Sequence, residues 1–128
     1  GVDLIIMSQV KSYIILTIII LLVVYCQIII KLRAVQLDRG GLSNLQFYLK
    51  TLADPAILSA FLSVFVAAML WLKVIPKFNL SFAYPFVSGT TFVAVVILSS
   101  MILREEISTF RIVGITMMVF GLILSVLD

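Results

Sequence analysis

Four long apolar runs, each almost free of charged residues, constrain this chain more than any other feature of its sequence. They cover residues 12–32, 55–76, 81–103 and 112–127. As helices, these runs would be about 24–35 Å long, against a hydrocarbon core of about 30 Å in a bilayer. We therefore predict four transmembrane helices, which are numbered one to four in this subsection.

The composition of the chain supports a membrane location for these runs. Its 128 residues are 63% hydrophobic and 12% charged, whereas a soluble domain carries about 25% charged residues. In lipid, only helices and closed barrels satisfy the backbone. Barrel strands alternate apolar and polar residues, and these runs are apolar on every face. The sequence thus predicts an all-α, integral membrane bundle of four helices that forms a single domain over 1–128.

The segments outside the four runs are short. The region 38–41 is predicted to form a turn, and 45–52 a short helix that lies in the membrane interface. Asp54 and Pro55 are typical of a helix start, with an acid at the cap and a proline in the first turn. We expect Met7 to be the natural first residue, Gly1–Ile6 to be an addition, and helix one to be retained rather than cleaved.

The chain lacks the residues that several classes of chemistry require. The chain has no histidine, and no aspartate or glutamate lies within the four runs. The single cysteine, Cys26, has no second cysteine for a disulfide and no partner for a metal, so we interpret it as a small packing residue. We expect no enzyme, no catalytic residue, no metal site and no cofactor.

The basic residues bear on orientation in the membrane rather than on nucleic acid, which we do not expect as a partner. Six of them lie on the side of the loops that follow helices one and three, and three lie on the opposite side. By the positive-inside rule, this weak bias favours both termini outside the cytoplasm. A bias this small permits either orientation.

Polar side chains within apolar helices are the candidate binding residues, because burying them in lipid is costly. Gln27 and Lys31 are one helical turn apart and share a face. Lys31 is close enough to the helix end to reach the headgroups, whereas Gln27 must meet another helix or a cavity. Tyr84, Ser88 and Thr91 form a hydroxyl stripe on helix three, although serine and threonine can also bond to their own backbone.

Two further features concern the shape and contacts of the helices. Pro85 leaves a carbonyl of the preceding turn without its helical donor, which either kinks helix three or opens an acceptor to a cavity. Gly114 and Gly121 share a face of helix four and let another helix approach closely. That helix belongs either to a second subunit or to the same chain.

The residues that follow helix one resemble a known family. Residues 71–88 read WLKVIPKFNLSFAYPFVS, residues 102–108 read ILREEIS, and Arg111, Gly114 and Gly121 follow. This pattern resembles the last two helices of small members of the drug/metabolite transporter superfamily. The spacing of Gln27 and Lys31 is similar to the end of that family's first helix, so the resemblance runs from about Tyr13 to the C-terminus.

Two four-helix branches of that superfamily differ at one position. Small multidrug resistance proteins carry a glutamate eight residues before the lysine, where this chain has Val23. The chain is more similar to the subunits that flip undecaprenyl phosphate-aminoarabinose, which lack the glutamate. That resemblance implies a lipid flippase of the bacterial or archaeal cytoplasmic (inner) membrane. It also implies an antiparallel dimer with an identical or a homologous subunit.

This resemblance assigns roles to the candidate residues. Lys31 would pair with the phosphate of a lipid-linked sugar, while its polyprenyl tail stays among membrane lipids. Gln27, Tyr84 and Ser88 would hydrogen-bond the substrate, and Trp71 would add an aromatic face or serve only as an interface anchor. Gly114 and Gly121 would form the dimer interface.

Two alternatives to a flippase remain open. One is an exporter of small metabolites or cationic drugs, which an essential acid from a partner would favour. The other is a non-transporting subunit that stabilises another membrane protein. A polar cavity that reaches Gln27 and Lys31 would count against this second alternative.

Overall fold

A computed structural model describes residues 1–38, 41 and 43–127 of the chain, and every regular element in this part is helical. The five α-helices are α1 (Val2–Asp38), α2 (Asn44–Ala53), α3 (Pro55–Val74), α4 (Leu80–Ile102) and α5 (Thr109–Leu127). A 3-10 turn, Ile75–Lys77, extends α3. Within the described residues, α1, extended α3, α4 and α5 are each long and apolar enough to cross a membrane. The predicted all-α class with four spanning helices is confirmed, and the chain is a multi-pass membrane protein.

Helix α1 is longer than the apolar run that predicted it. It begins at Val2 rather than at Ser12 and ends at Asp38 rather than at Leu32. Its 37 residues are about 55 Å long, which exceeds the hydrocarbon thickness of about 30 Å. Charged residues mark the edge of an apolar run but do not end a helix, and α1 contains no glycine or proline. Residues 2–6 are therefore part of the same helix as the first apolar run.

Helix α2 has the features of an interfacial helix. Ser43 caps it in a capping box, in which the Ser43 Oγ accepts from the Gln46 N–H at 3.4 Å and the Gln46 Oε1 accepts from the Ser43 N–H at 3.3 Å. One face carries four apolar side chains that are all more than half exposed: Leu45, Tyr48, Leu49 and Leu52. Lys50 lies away from this face. Such a face suits the boundary between headgroups and acyl chains.

The junctions around α2 agree in part with the sequence. Asp54 caps α3, since its Oδ1 accepts from the Ala56 N–H at 2.8 Å, and Pro55 occupies the first turn as expected. Of the turn predicted over 38–41, residues 39 and 40 lie outside the described part of the chain. Gly41 has a φ of +66°, a left-handed conformation that glycine adopts without steric cost.

The spanning helices pack in the order α3, α1, α4, α5. Leu16 and Ile19 of α1 are buried with Ala67 and Val74 of α3. On another face of α1, a buried cluster of Ile20, Val24 and Ile28 packs against α4. Helix α1 is therefore the centre of the chain, and Cys26 is buried within it.

Small and hydroxylated residues let α1 and α3 approach closely. Ala60, Ser63 and Ala67 are all buried on one face of α3. The Ser63 hydroxyl lies 2.7 Å from the Ala60 carbonyl oxygen of its own helix and 3.2 Å from that of Leu22 in α1. The Tyr25 hydroxyl lies 2.9 Å from the Ser59 Oγ. Close packing and hydrogen bonds between helices replace the hydrophobic driving force that lipid does not supply.

Helix α5 packs on the outer side of α4 and has no buried residue. The close approach between the two helices occurs at Gly89, where an added Cβ would lie 2.7 Å from the Leu122 Cδ1. An added Cβ at Gly114 or Gly121 would meet no described atom within 4 Å. In the described chain, the close contact between α4 and α5 is therefore at Gly89 and not at these two glycines.

Candidate functional site

A continuous groove follows α1 and α4 and brings the predicted substrate residues together. At one end, a cavity of about 250 Å³ is lined by Trp71, Tyr84 and Ser88. A middle cavity of about 480 Å³ shares Ser88 with the first and reaches Gln27. A third cavity of about 560 Å³ shares Gln27 with the second and ends at Lys31. All five side chains thus line one path, which runs from the α3 side of α1 to the loop between α4 and α5.

Helical periodicity explains why α1 contributes one line of residues to this groove. Ile19, Val23, Gln27 and Lys31 are spaced four residues apart, so each lies about one helical turn from the next along a line that winds slowly around the helix. Val23 and Gln27 line the middle cavity, and Gln27 and Lys31 line the last one. Ile19 and Val23 give an apolar wall, and the other two give an amide and a cation.

Helix α4 supplies the opposite wall. Tyr84, Ser88 and Thr91 of the predicted stripe line this wall together with apolar residues of the same helix, such as Val87 and Val95. The helix continues through Pro85. The carbonyl that this proline leaves without its helical donor belongs to Ser81. Ser81 lines a separate cavity of about 630 Å³ beside Lys77 and Phe78 and is not among the residues that line the groove.

Polar groups in the middle of the groove have no partner within the described chain. The Gln27 side chain is exposed and makes no hydrogen bond to a described residue. The Thr91 Oγ1 is shielded from solvent and has no hydrogen-bond partner among the described atoms. In the low-dielectric interior of a membrane, such groups are stabilised by hydrogen bonds from a ligand, water or another chain.

The end of the groove at Lys31 is rich in charge. The Lys31 Nζ lies 3.9 Å from the Glu105 Oε1, and the two side chains are 54% and 42% exposed. Glu106 and Arg111 line the same cavity. Two cations and two carboxylates therefore surround one opening, whereas the middle of the groove is neutral.

Sequence reasoning missed Glu105 as a neighbour of Lys31. The position of Glu105 beyond the end of helix three marks it as a loop residue, and nothing in the residue pattern indicates which helix end the loop approaches. The structure gives the reason for its placement. Arg104 adopts a φ of 56°, which ends α4 in a left-handed turn and directs the chain back toward α1.

Trp71 lies at the other end of the groove and has two contacts. It is half-buried against the cluster of Leu16 and Ile19, and it also lines the first cavity together with Tyr84. Its ring is thus held by packing while part of it faces the groove. This position is compatible with both roles considered for Trp71, an interface anchor and an aromatic wall for a ligand.

Comparisons with known proteins add no family assignment. No protein-family model, no curated protein sequence and no solved structure significantly matches this chain.

Proposed function

We propose that this chain is a subunit of a membrane transporter that flips a polyprenyl-phosphate-linked sugar across the cytoplasmic membrane of a bacterium or archaeon. The observation that carries the proposal is the groove that joins Trp71, Tyr84, Ser88 and Gln27 to Lys31. The likeness of the sequence to flippase subunits of the drug/metabolite transporter superfamily supports it. Flipping involves no chemical step on the substrate, so in this proposal the chain is not an enzyme.

The groove matches the parts of such a substrate. The phosphate, which is anionic and sits at headgroup level, is placed at Lys31, because a lysine near a helix end pairs with an anion at that depth. Sugar hydroxyls are placed at Gln27, Tyr84 and Ser88, which offer neutral hydrogen bonds. The tail remains in lipid along the open side of the groove.

A dimer completes the transporter in this proposal. Helix α5 has no buried residue within the chain, and the positions of Gly114 and Gly121 are open. A second subunit on this face would also supply more of the enclosure that four helices alone lack. The second subunit is an identical or a homologous chain, arranged antiparallel.

Substitution of Lys31 tests the proposal. Lys31→Met should weaken binding of the lipid phosphate by about tenfold or more, since a hydrogen bond to a charged group contributes about 1.5–3 kcal/mol. Lys31→Arg should retain part of the activity. The assay follows flipping of a fluorescent polyprenyl-phosphate-linked sugar in proteoliposomes, and Lys73→Met, which removes a lysine outside the groove, is the control. Normal flipping by Lys31→Met would show that Lys31 only reaches for the headgroups.

An exporter of small metabolites or cations is the second candidate, because Glu105 and Glu106 place carboxylates at the mouth of the groove. Val23 counts against proton-coupled antiport by this chain alone, since it lines the groove where small multidrug resistance proteins carry their glutamate. Dye efflux that a protonophore abolishes, in cells that produce only this chain, would favour the exporter. A non-transporting role is the weakest candidate, because the polar cavity reaches both Gln27 and Lys31.

A further inference from the structure

The carboxylate of Glu105 lies where the substrate's phosphate is placed by the proposed function. The Lys31 Nζ is 3.9 Å from the Glu105 Oε1, and both residues line the cavity at the end of the groove. Within the described chain, Lys31 forms its ion pair with Glu105. A phosphate that enters the cavity therefore meets a lysine that already has an anionic partner.

The backbone holds Glu105 in this position. Helix α4 ends at Ile102, and Arg104 turns the chain with a φ of 56°. The Glu105 N–H then donates to the carbonyl oxygen of Ser99 in the last turns of α4, at 3.5 Å. Glu105 is thus tied to the end of a spanning helix, and its side chain is available to Lys31 without a large loop movement.

The pair is loose enough for a ligand to replace it. A separation of 3.9 Å is longer than the roughly 2.7–2.9 Å of a charge-assisted hydrogen bond. Both side chains are about half exposed, and pairs of this kind are weak. The phosphodiester of a polyprenyl-phosphate-linked sugar carries one negative charge on two non-bridging acceptor oxygens, so it can bind the same ammonium group at shorter distance.

We propose that Glu105 is an internal competitor of the substrate's phosphate for Lys31. It pairs with Lys31 in the empty groove, gives way when the phosphate enters, and pairs again as the phosphate leaves. The inference rests on the proposed function and adds a residue that sets how tightly the groove holds its ligand. A transporter needs such a limit, because a ligand that binds too tightly is not released.

The charges around the opening determine how substitution of Glu105 should change phosphate binding. Lys31 and Arg111 are balanced there by Glu105 and Glu106. Glu105→Gln removes one carboxylate, keeps the shape of the side chain and leaves Lys31 free for the phosphate. Glu106→Gln removes the same charge from the neighbouring residue, which forms no ion pair with Lys31 in the described structure, and is the matched control.

The experiment measures binding of a fluorescent short-chain polyprenyl monophosphate without a sugar, in phosphatidylcholine nanodiscs. Glu105→Gln should bind this probe about two- to fivefold more tightly than the unaltered protein at low salt, the range expected for release of an exposed pair. The difference should shrink as salt rises. The matching fluorescent polyprenol, which has no phosphate, should bind both proteins equally. Inorganic phosphate should displace the probe only at concentrations far above that of the probe, since it lacks the tail.

The outcomes separate this inference from the function on which it rests. If Lys31→Met weakens probe binding by about tenfold or more and Glu105→Gln leaves it unchanged, the competition is refuted and the proposed function stands. If Lys31→Met binds the probe normally, the proposed function fails as well. Equal tightening by Glu106→Gln, or tighter binding of the polyprenol by Glu105→Gln, would also overturn the role of Glu105.

Discussion

Asp54 contacts three helices, two through its carboxylate and one through its backbone. Its Oδ1 caps α3 by accepting from the Ala56 N–H at 2.8 Å, and its Oδ2 accepts from the Arg33 Nε of α1 at 2.8 Å. The same Arg33 donates through Nη1 to the Gln36 Oε1 at 2.7 Å. Because Asp54 also ends α2, it fixes the position of the interfacial helix between the first two spanning helices.

These contacts predict how stability depends on pH. The hydrogen bonds from Arg33 and from the Ala56 N–H lower the pKa of Asp54 below its ordinary value. The folded state therefore favours the ionised carboxylate. Its contribution to stability is fully present above the unfolded-state pKa of about 3.9, and it is lost as the pH falls from there through the folded-state pKa.

Asp54→Asn should lower the midpoint of thermal unfolding in detergent at pH 7, because asparagine can cap α3 but cannot pair with Arg33. The gap to the unaltered protein should narrow as the pH falls below about 4. Asp3→Asn, a change at an exposed position of α1, should leave the profile unaltered. If Asp54→Asn unfolded at the same temperature as the unaltered protein at pH 7, a stabilising role for the pair of Arg33 and Asp54 would be contradicted.

At the scale of elements, the contact between α4 and α5 depends on the absence of a side chain at one position. Gly89 is buried, and the Leu122 side chain occupies the space where a Cβ would lie. Gly114 has open space around it in the described chain. An added methyl group would therefore meet Leu122 at Gly89 but no described atom at Gly114, although both glycines lie within spanning helices.

Gly89→Ala should be less stable than Gly114→Ala by about 1–3 kcal/mol, the usual cost of overpacking a close contact. Alanine is also the better helix former by about 0.5–1 kcal/mol, so Gly114→Ala should be neutral or slightly stabilising. Unfolding in detergent would measure both. In a Leu122→Ala background the cost at position 89 should vanish; a cost that persists there would show that Leu122 is not its cause.

The described spanning helices form a row in which α1 lies between α3 and α4, and α5 lies at one edge. Phe110, Met117 and Leu124 of α5 are strongly exposed on the side that also carries Gly114 and Gly121. Apolar residues on this face suit lipid, but the two glycines leave a notch that suits a second helix. The subunit interface at this face is a prediction that the single chain leaves to experiment.

Leucine at both Gly114 and Gly121 should separate the subunits while insertion into the membrane is preserved. The measurement is crosslinking between cysteines placed on the glycine face in a Cys26→Ala background. Crosslinks between chains that disappear in the double leucine variant would support the interface. Crosslinks confined to single chains, or lipid bound against Gly114, would contradict it.

The sequence by itself determined the features that depend on neighbouring residues and on overall apolarity. The four spans follow from run length, the cap at Asp54 from its local residue pattern, and the common face of Gln27 and Lys31 from the helical period. Both ends of α1 deviate strongly from the predicted bounds, because charge sets the boundary of an apolar run and not the end of a helix. These properties require no knowledge of which helix lies beside which.

The tertiary structure alone decided the neighbours of each helix. It placed Glu105 beside Lys31, assigned the close contact to Gly89, and joined Trp71 to Lys31 through one groove. In a membrane, lipid-facing and helix-facing residues are equally apolar, so hydrophobic pattern does not reveal which face of a helix meets another. The rotation and order of the helices depend instead on packing between small residues far apart in the chain, which exists only once the helices have assembled.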